Sequence, residues 1–368
     1  MNSTINLKKD LLSCPGNTIQ EQLDFINMSQ SELALRMGRS ESKLNELIKG
    51  KASLTPETAK KLEYVLGIDA SFWMNLENAY QQELLAIKQL EFLKQCSDWI
   101  KGFPLKELKV MKLLPNTTKA TELMDKLLSF FRVASPEEWS KIYEYEALAF
   151  KIDAQYIKDP KTISTWLRIG EIQADRIAIQ EFDKKKLTRS IPAIQALMYE
   201  NPEDWLHQLQ SICASFGVAL VYTPCLSKAP IYGASRWIKN KTIPLIQLTD
   251  RQKDYNAFWF SFFHELAHIR YHNKSDIFIS LTDIQQDDSK ELEADRFASE
   301  MLLNETERRE VFSYNSYNKS IILALSTKLK KHPGIIVSQI QRKHKALYKD
   351  FALNSLKTRV EFKELVFE

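Results

Sequence analysis

Ala257-Phe258-Trp259-Phe260-Ser261-Phe262-Phe263-His264-Glu265-Leu266-Ala267-His268 is the stretch on which the carboxy-terminal half of this chain turns. Its first seven residues are almost all apolar and read as a helix buried in a core, where a polar cluster is costly without a purpose. The two histidines then stand at i and i+4, one turn apart on the same helical face. Both imidazoles can therefore reach one metal ion. Glu265 lies a little round the helix, where a carboxylate can hold a water and take its proton. His-Glu-x-x-His on a helix is the arrangement of a zinc hydrolase, in which the metal acidifies water and polarises a carbonyl.

Such a site needs a third ligand. Downstream stands Glu291-Leu292-Glu293-Ala294-Asp295-Arg296-Phe297-Ala298. Glu291 and Asp295 are again i and i+4, so one helical face offers two carboxylates. The economical assignment makes Glu291 the third ligand and Asp295 an acceptor that fixes the tautomer of a ligating histidine. Glu293 points to another face and is the alternative ligand. Asp287, Asp288 and Glu291 also suit the acidic start of a helix. His272, four beyond His268, reads as a helix-end residue or a partner behind a ligand. Tyr232, Arg236 and Tyr255 are candidate oxyanion donors by proximity in sequence alone. The nitrogen and oxygen donors favour Zn2+.

Ahead of this helix, Gly217-Val218-Ala219-Leu220-Val221-Tyr222, Ile231 to Trp237 and Ile243 to Leu248 read as short strands bounded by Pro, Gly and Lys/Asn turns. The expected fold is mainly α with a small β-sheet.

The amino-terminal part is a different unit. Ser29 precedes Gln30-Ser31-Glu32-Leu33-Ala34, with Glu32 three residues on, the pattern of a capping box. Leu33, Ala34 and Met37 form an apolar stripe, Gly38 ends the helix, and Ser40 can cap the next, which turns Leu44, Leu47 and Ile48 inward. Two short helices joined by a turn containing Gly make a helix-turn-helix. The second helix would read base edges with Glu41, Ser42, Lys43 and Asn45, while Gln30 would bind a phosphate. Arg36, Arg39, Lys43, Lys49 and Lys51 stand against Glu41 and Glu46 in this stretch, so positive charge is local. Residues 1–75 as a whole carry nine Lys/Arg and nine Asp/Glu. DNA affinity without sequence specificity is expected to be modest and sensitive to salt.

The paired motifs His264-Glu265-Leu266-Ala267-His268 and Glu291-x-Glu293-Ala294-Asp295-x-Phe297-Ala298-x-x-Met301-Leu302-Leu303 resemble those of the ImmA/IrrE metallopeptidases. Members of that family are zinc proteases that cut a partner repressor and so switch on the genes it controls. The second stretch usually ends in Pro, where this chain has Asn304. The segment containing Met28-Ser29-Gln30-Ser31-Glu32-Leu33-Ala34, Leu54-Thr55-Pro56-Glu57-Thr58-Ala59 and Phe72-Trp73-x-Asn75-Leu76 resembles the XRE/Cro-type domain, and more closely the HigA-like antitoxins. That resemblance implies a homodimer on palindromic operator DNA and, in the HigA group, neutralisation of a toxin. Together the resemblances imply a five-helix helix-turn-helix bundle followed by an α+β domain of the gluzincin type. The function they imply is a transcriptional regulator that cleaves a regulatory protein, either a repressor or a toxin-antitoxin component. The alternative is a non-catalytic HigA-like antitoxin or repressor whose metal domain senses or binds.

The expected limits are a DNA-binding domain over residues 1–78, a helical connector over 79–200, the metallopeptidase domain over 201–345 and a tail over 346–368. Within the connector, Leu84 to Leu93 and Trp166 to Ile179 read as helices, and Lys184-Lys185-Lys186 as a solvated face. His332, before Pro333-Gly334, reads as a helix-capping loop. In 368 residues, two or three cores are expected. A net charge of +4 is too small for a nucleic-acid coat. Four cysteines without CxxC spacing read as reduced thiols. No run has the ~20 apolar residues of a membrane span, and Met1 to Leu12 lacks a signal-peptide core. These readings place the chain in the cytoplasm. None of the nine glycines builds a phosphate-binding loop.

Overall fold

The computed structural model describes residues 2–144, 160–227, 231–274, 278–281, 289–362 and 365–367. Asp287 and Asp288, read above as an acidic helix start, lie outside them. The chain forms two compact units, Met1–Ile100 with Thr118–Asp125, and Lys101–Thr117 with Lys126–Glu368.

The first unit is helical: α1 (Asn2–Asp10), α2 (Pro15–Phe25), α3 (Gln30–Met37), α4 (Glu41–Ile48), α5 (Pro56–Leu66) and α6 (Ala70–Gln95). Side-chain oxygens punctuate it. Ser29 accepts from the Glu32 amide, Ser40 from Lys43, Thr55 from Thr58 and Asp69 from Ser71, each satisfying a donor the helix leaves open. Gly38, at φ +61°, supplies the left-handed residue that ends α3. The capping box is only half made: the Glu32 carboxylate accepts from Arg36 at 2.6 Å and not from the Ser29 amide. Ile19, Leu23, Leu33, Met37, Leu44, Leu47, Leu62 and Trp73 form one core, so the apolar stripes of α3 and α4 face inward as their spacing requires. α6 runs on through position 78 to Gln95, and the Leu84–Leu93 stripe belongs to that same helix.

The second unit is built on a four-stranded mixed sheet of order β1-β3-β2-β4, with β1 (Ala219–Tyr222), β2 (Ile231–Ile238), β3 (Ile243–Leu248) and β4 (Phe278–Leu281). β1 runs parallel to β3, and β2 antiparallel to both β3 and β4. Three strands follow the sequence reading. β4 was not read from the sequence, because four residues between two polar stretches carry too little pattern. Helices α7 (Leu105–Val110), α8 (Ala120–Phe131, its residues through Asp125 counted in the first unit), α9 (Pro136–Trp139), α10 (Pro160–Ala174), α11 (Lys184–Glu200) and α12 (Trp205–Ser215) precede the sheet. α10 stops at Ala174, so Ile177 and Ile179 lie beyond it rather than in the helix expected through them. They pack instead beside Ala219, Val221 and Leu245.

The long apolar stretch forms α13 (Tyr255–Tyr271). Phe258, Trp259, Phe262, Phe263 and Leu266 join Leu220, Ile246 and Leu248 in the largest core. Each such side chain contributes about 1.5–3 kcal/mol through burial. α13 therefore covers one face of the sheet, and α14 (Ser289–Leu302) lies along it. α15 (Glu305–Val311), α16 (Lys319–Leu329), α17 (Pro333–Lys343) and α18 (Phe351–Asn354) complete the unit. Asn304 caps α15 in a full box, accepting from the Glu307 amide at 2.9 Å and donating its own amide to the Glu307 carboxylate at 2.8 Å. A proline there would lack that donor.

Candidate metal centre and helix-turn-helix face

Asp254 starts α13 by accepting from the Ala257 amide at 2.9 Å, and packing of the aromatic face holds the helix on the sheet. The second half of the helix then carries three polar side chains into the interior: His264 is 6% exposed, Glu265 0% and His268 2%. His264 Nε2 lies 3.0 Å from His268 Nε2 and 3.1 Å from Glu291 Oε2 on α14, and His268 Nε2 lies 3.6 Å from Glu291 Oε1. Among the described residues, these three form the group able to hold a metal ion. The spacing fits one: with bonds of about 2.0–2.1 Å, a tetrahedral ion separates its donors by roughly 3.3 Å.

The outward nitrogens of both rings are also engaged. His264 Nδ1 lies 2.8 Å from Asp295 Oδ1. A proton on Nδ1 is then donated to the carboxylate, and Nε2 is left to face the cluster. His268 Nδ1 lies 2.9 Å from His272 Nδ1, and His272 Nε2 lies 3.2 Å from Glu293 Oε2. This chain is consistent in one sense only if His272 is neutral, accepting from His268 at Nδ1 and donating to Glu293 at Nε2. Burial, followed by the charge of His268, lowers the pKa of His272 and favours that neutral form. Phe278 of β4 stacks on the His268 ring at 3.7 Å between centroids and shields it. The alternating acids of α14 thus divide. Glu291 joins the cluster, and Asp295 and Glu293 stand behind the two histidines. Glu293 is not among the converging donors.

Burial presses His264 toward its neutral form, but hydrogen bonds with Asp295 and Glu291 outweigh it and raise its pKa to about 10. Burial also pushes Glu291 up, yet hydrogen bonds with His264 and His268 hold it at about 2. Near neutral pH the cluster alone is an imidazolium–carboxylate pair, and a cation entering it displaces a proton.

Glu265 packs against β2 at Gly233. A Cβ on Gly233 would stand 2.9 Å from Glu265 Oε1 and 3.2 Å from its Cγ, so the absence of a side chain makes room for the carboxylate. A glycine interrupting an otherwise strand-like run was the signal available in the sequence. Two expected oxyanion donors are employed elsewhere. The Tyr255 hydroxyl donates to the Met198 carbonyl at 2.9 Å, and Arg236 donates to the Leu167 carbonyl at 2.7 Å. Tyr232 lines a small cavity with Thr249, Lys253 and Ser261. His332 caps α17, its Nδ1 accepting from the Gly334 amide at 3.1 Å.

In the first unit α4 leaves Glu41, Ser42, Lys43, Asn45 and Glu46 exposed, with Lys49 just past its end. Arg39 and Gln30 are half-buried. The Gln30 side-chain nitrogen donates to Gln20 at 2.6 Å, an engagement the spacing of residues could not show. No helix of the described residues is long and apolar enough to cross a membrane.

The peptidase family described as the IrrE N-terminal-like domain matches residues 213–343, and the helix-turn-helix family matches residues 26–73. Over 66 residues the chain is 47% identical to an uncharacterized HTH-type transcriptional regulator, YddM, of Escherichia coli (strain K12), covering 18% of this chain and 70% of the relative. Over 71 residues it is 31% identical to virulence-associated protein I of Dichelobacter nodosus, covering 19% and 66%. A solved structure of an addiction module antidote protein of the HigA family from Coxiella burnetii is 27% identical, covering 24% of this chain and 91% of that one, at a TM-score of 0.20.

Proposed function

Because this chain belongs to the helix-turn-helix family of transcriptional regulators and carries an IrrE N-terminal-like peptidase domain, we propose that it is a DNA-bound regulator whose second domain is a zinc-dependent endopeptidase. Its substrate would be a regulatory protein in the same cytoplasm, a repressor or a toxin-antitoxin component. The DNA-binding form would be a homodimer on operator DNA, read by Glu41, Ser42, Lys43 and Asn45, with Gln30, Arg39 and Lys49 on the backbone.

The observation that carries the peptidase reading is the convergence of His264, His268 and Glu291 beside a buried Glu265. The three would hold zinc, which when bound polarises a carbonyl and makes water acidic. Asp295 orients His264, and the His272–Glu293 pair orients His268. Glu265 removes the proton of the attacking water as the C–O bond forms. It then delivers that proton to the nitrogen as the peptide C–N bond breaks. Gly233 leaves space for the carboxylate in both roles.

The test compares new protein N-termini in cells carrying the wild type or Glu265→Gln, in resting and stressed growth. Cleavage sites that depend on Glu265 establish the protease and name its substrate. Identical sets under every condition overturn it in favour of a non-catalytic HigA-like antitoxin or repressor.

A further inference from the structure

Ser235 of β2 is a buried polar side chain that the proposed reaction does not use. It is 0% exposed, and its Oγ has no hydrogen-bond partner among the described residues. Its neighbours across the ladder are apolar, Ile246 on β3 and Phe278 on β4. Buried hydroxyls are as a rule hydrogen-bonded, because a donor taken out of water without a partner is costly. Alanine would fill nearly the same space without that cost, so a serine here points to a partner.

The pleat says on which face that partner stands. Side chains alternate along a strand, so Ser235 shares a face with Gly233, two residues before it. The surroundings agree that this face meets α13. Ile246 belongs to the core formed with that helix, and Phe278 stacks on the His268 ring. A Cβ on Gly233 would stand 2.9 Å from Glu265 Oε1. The Ser235 hydroxyl therefore lies in the seam between sheet and helix, beside the seat of Glu265 and the ring that covers His268.

Distance decides the form of the contact. Positions two apart on one strand face are separated by about 6.6 Å. That is too far for a direct hydroxyl–carboxylate bond of about 2.7 Å, and close to the span of two such bonds through one water. A buried water needs at least two polar partners, and the hydroxyl and the carboxylate supply them.

We infer that Ser235 is a positioning residue, whose hydroxyl holds the Glu265 carboxylate on the sheet through one buried water. The hydroxyl donates to the water, and the water donates to the carboxylate. A carboxylate offers about four acceptor sites, so this bond adds to the other interaction that Glu265 makes. The water lies on the strand side of the carboxylate and is not the attacking one. The role assigned to Ser235 rests on the reading of Glu265 as the base. The bland alternative is a serine left unbonded in an apolar seam.

Crystals of the zinc-loaded full-length chain, wild type and Ser235→Ala, test the bridge without any activity. The wild-type map should show an ordered water within about 3.2 Å of both Ser235 Oγ and a Glu265 oxygen. In Ser235→Ala the water should be lost and the carboxylate turned or disordered, with Tm lower by a few degrees. Kinetics on the substrate named by the N-terminus comparison test the role. A misplacement of 1 Å can cost about 100-fold, so Ser235→Ala should lower kcat by about tenfold or more while KM and metal content stay unchanged. Ser235→Thr restores the hydroxyl on a side chain suited to a strand and should recover kcat. A wild-type map without the water, or a Glu265 carboxylate unmoved in Ser235→Ala, overturns the inference. So does a wild-type kcat in Ser235→Ala, or a Thr variant that is as stable as the wild type and as slow as Ser235→Ala. A wild type that cleaves nothing is instead the failure of the peptidase reading, and the two maps still decide the bridge.

Discussion

The two units hold their working residues in opposite environments. In the helix-turn-helix unit, the residues proposed to read base edges are exposed on a short helix whose inward face is packed. In the peptidase-like unit, the candidate residues His264, Glu265 and His268 are buried, on a helix whose apolar side chains Phe262, Phe263 and Leu266 join a hydrophobic core. An exposed reader loses one contact when it is removed, and water fills the gap. A buried ligand or base leaves its partners stranded in low dielectric, so its loss propagates. Single substitutions should therefore be severe in the second unit and mild in the first.

The largest expected effect is that of Glu265→Gln. A general base contributes roughly 10²–10⁴ in rate, and the amide keeps the shape without the basicity. Metal content, measured by plasma emission on purified protein, should match the wild type while cleavage of the identified substrate disappears. Loss of the metal in this variant would transfer Glu265 from the base to the ligand set.

Glu293→Gln comes next. The substitution leaves the three donors in place and weakens only the carboxylate behind His272. Outer partners of this kind typically contribute 10–100-fold in metal affinity, so competition against a chromophoric chelator should show a loss in that range. Nitrogen-15 chemical shifts should also place the proton of His272 on Nε2 in the wild type. Unchanged affinity, with the proton on Nδ1, would reduce the His272–Glu293 contact to packing.

The difference between the units also governs what the sequence could disclose. Periodicity and caps were legible wherever a residue acts on its own neighbours: Ser29, Gly38 and Ser40 in the first unit, and the one-turn spacing of His264 and His268 in the second. A partner distant in the chain was legible only where its residue type was itself a signal, as with Glu291. The roles of Glu293 and His272 depend on how α14 is rotated against α13, and that rotation is set by packing rather than by spacing. The seat of Glu265 against Gly233 requires the sheet register, which three short strands do not encode locally. Arg236 shows the same limit from the other side. Its nearness in sequence to the metal motif suggested a catalytic donor, yet strand alternation puts it on the opposite face from Gly233.

Acid should sharpen the contrast. All six histidines lie between residues 207 and 344, so the helix-turn-helix unit has none. Burial lowers the pKa of His332 to about 4, and its Nδ1 must stay unprotonated to cap α17. Below its ordinary value of 6.5 the unfolded chain takes up a proton that the folded chain refuses. Stability contributed by this group is complete above pH 6.5 and is lost as pH falls toward 4, by on the order of 3 kcal/mol. His264 acts in the opposite window. Its raised pKa adds stability to the metal-free protein below pH 6.5, lost as pH rises through about 10. Urea unfolding from pH 7 to 4 should show the second unit weakening, with a shallower slope in His332→Asn, which retains a capping oxygen. An unchanged slope would assign the acid sensitivity to other groups.

The smallest effect belongs to the exposed face. Lys49 stands just beyond α4 and is exposed, and the proposed reading sets it on a phosphate rather than a base. Lys49→Ala should weaken binding to duplexes of mixed sequence several-fold, uniformly across sequences. It should also reduce the slope of log K against log salt by about one, since one released counterion accounts for that increment. Glu41 and Glu46 on the same helix limit how much attraction there is to lose. Fluorescence anisotropy over a range of salt concentrations reads both quantities. A loss confined to one sequence would make Lys49 a base reader. An unchanged slope would put it off the DNA, and the DNA-facing surface would then be narrower than the exposed surface of α4.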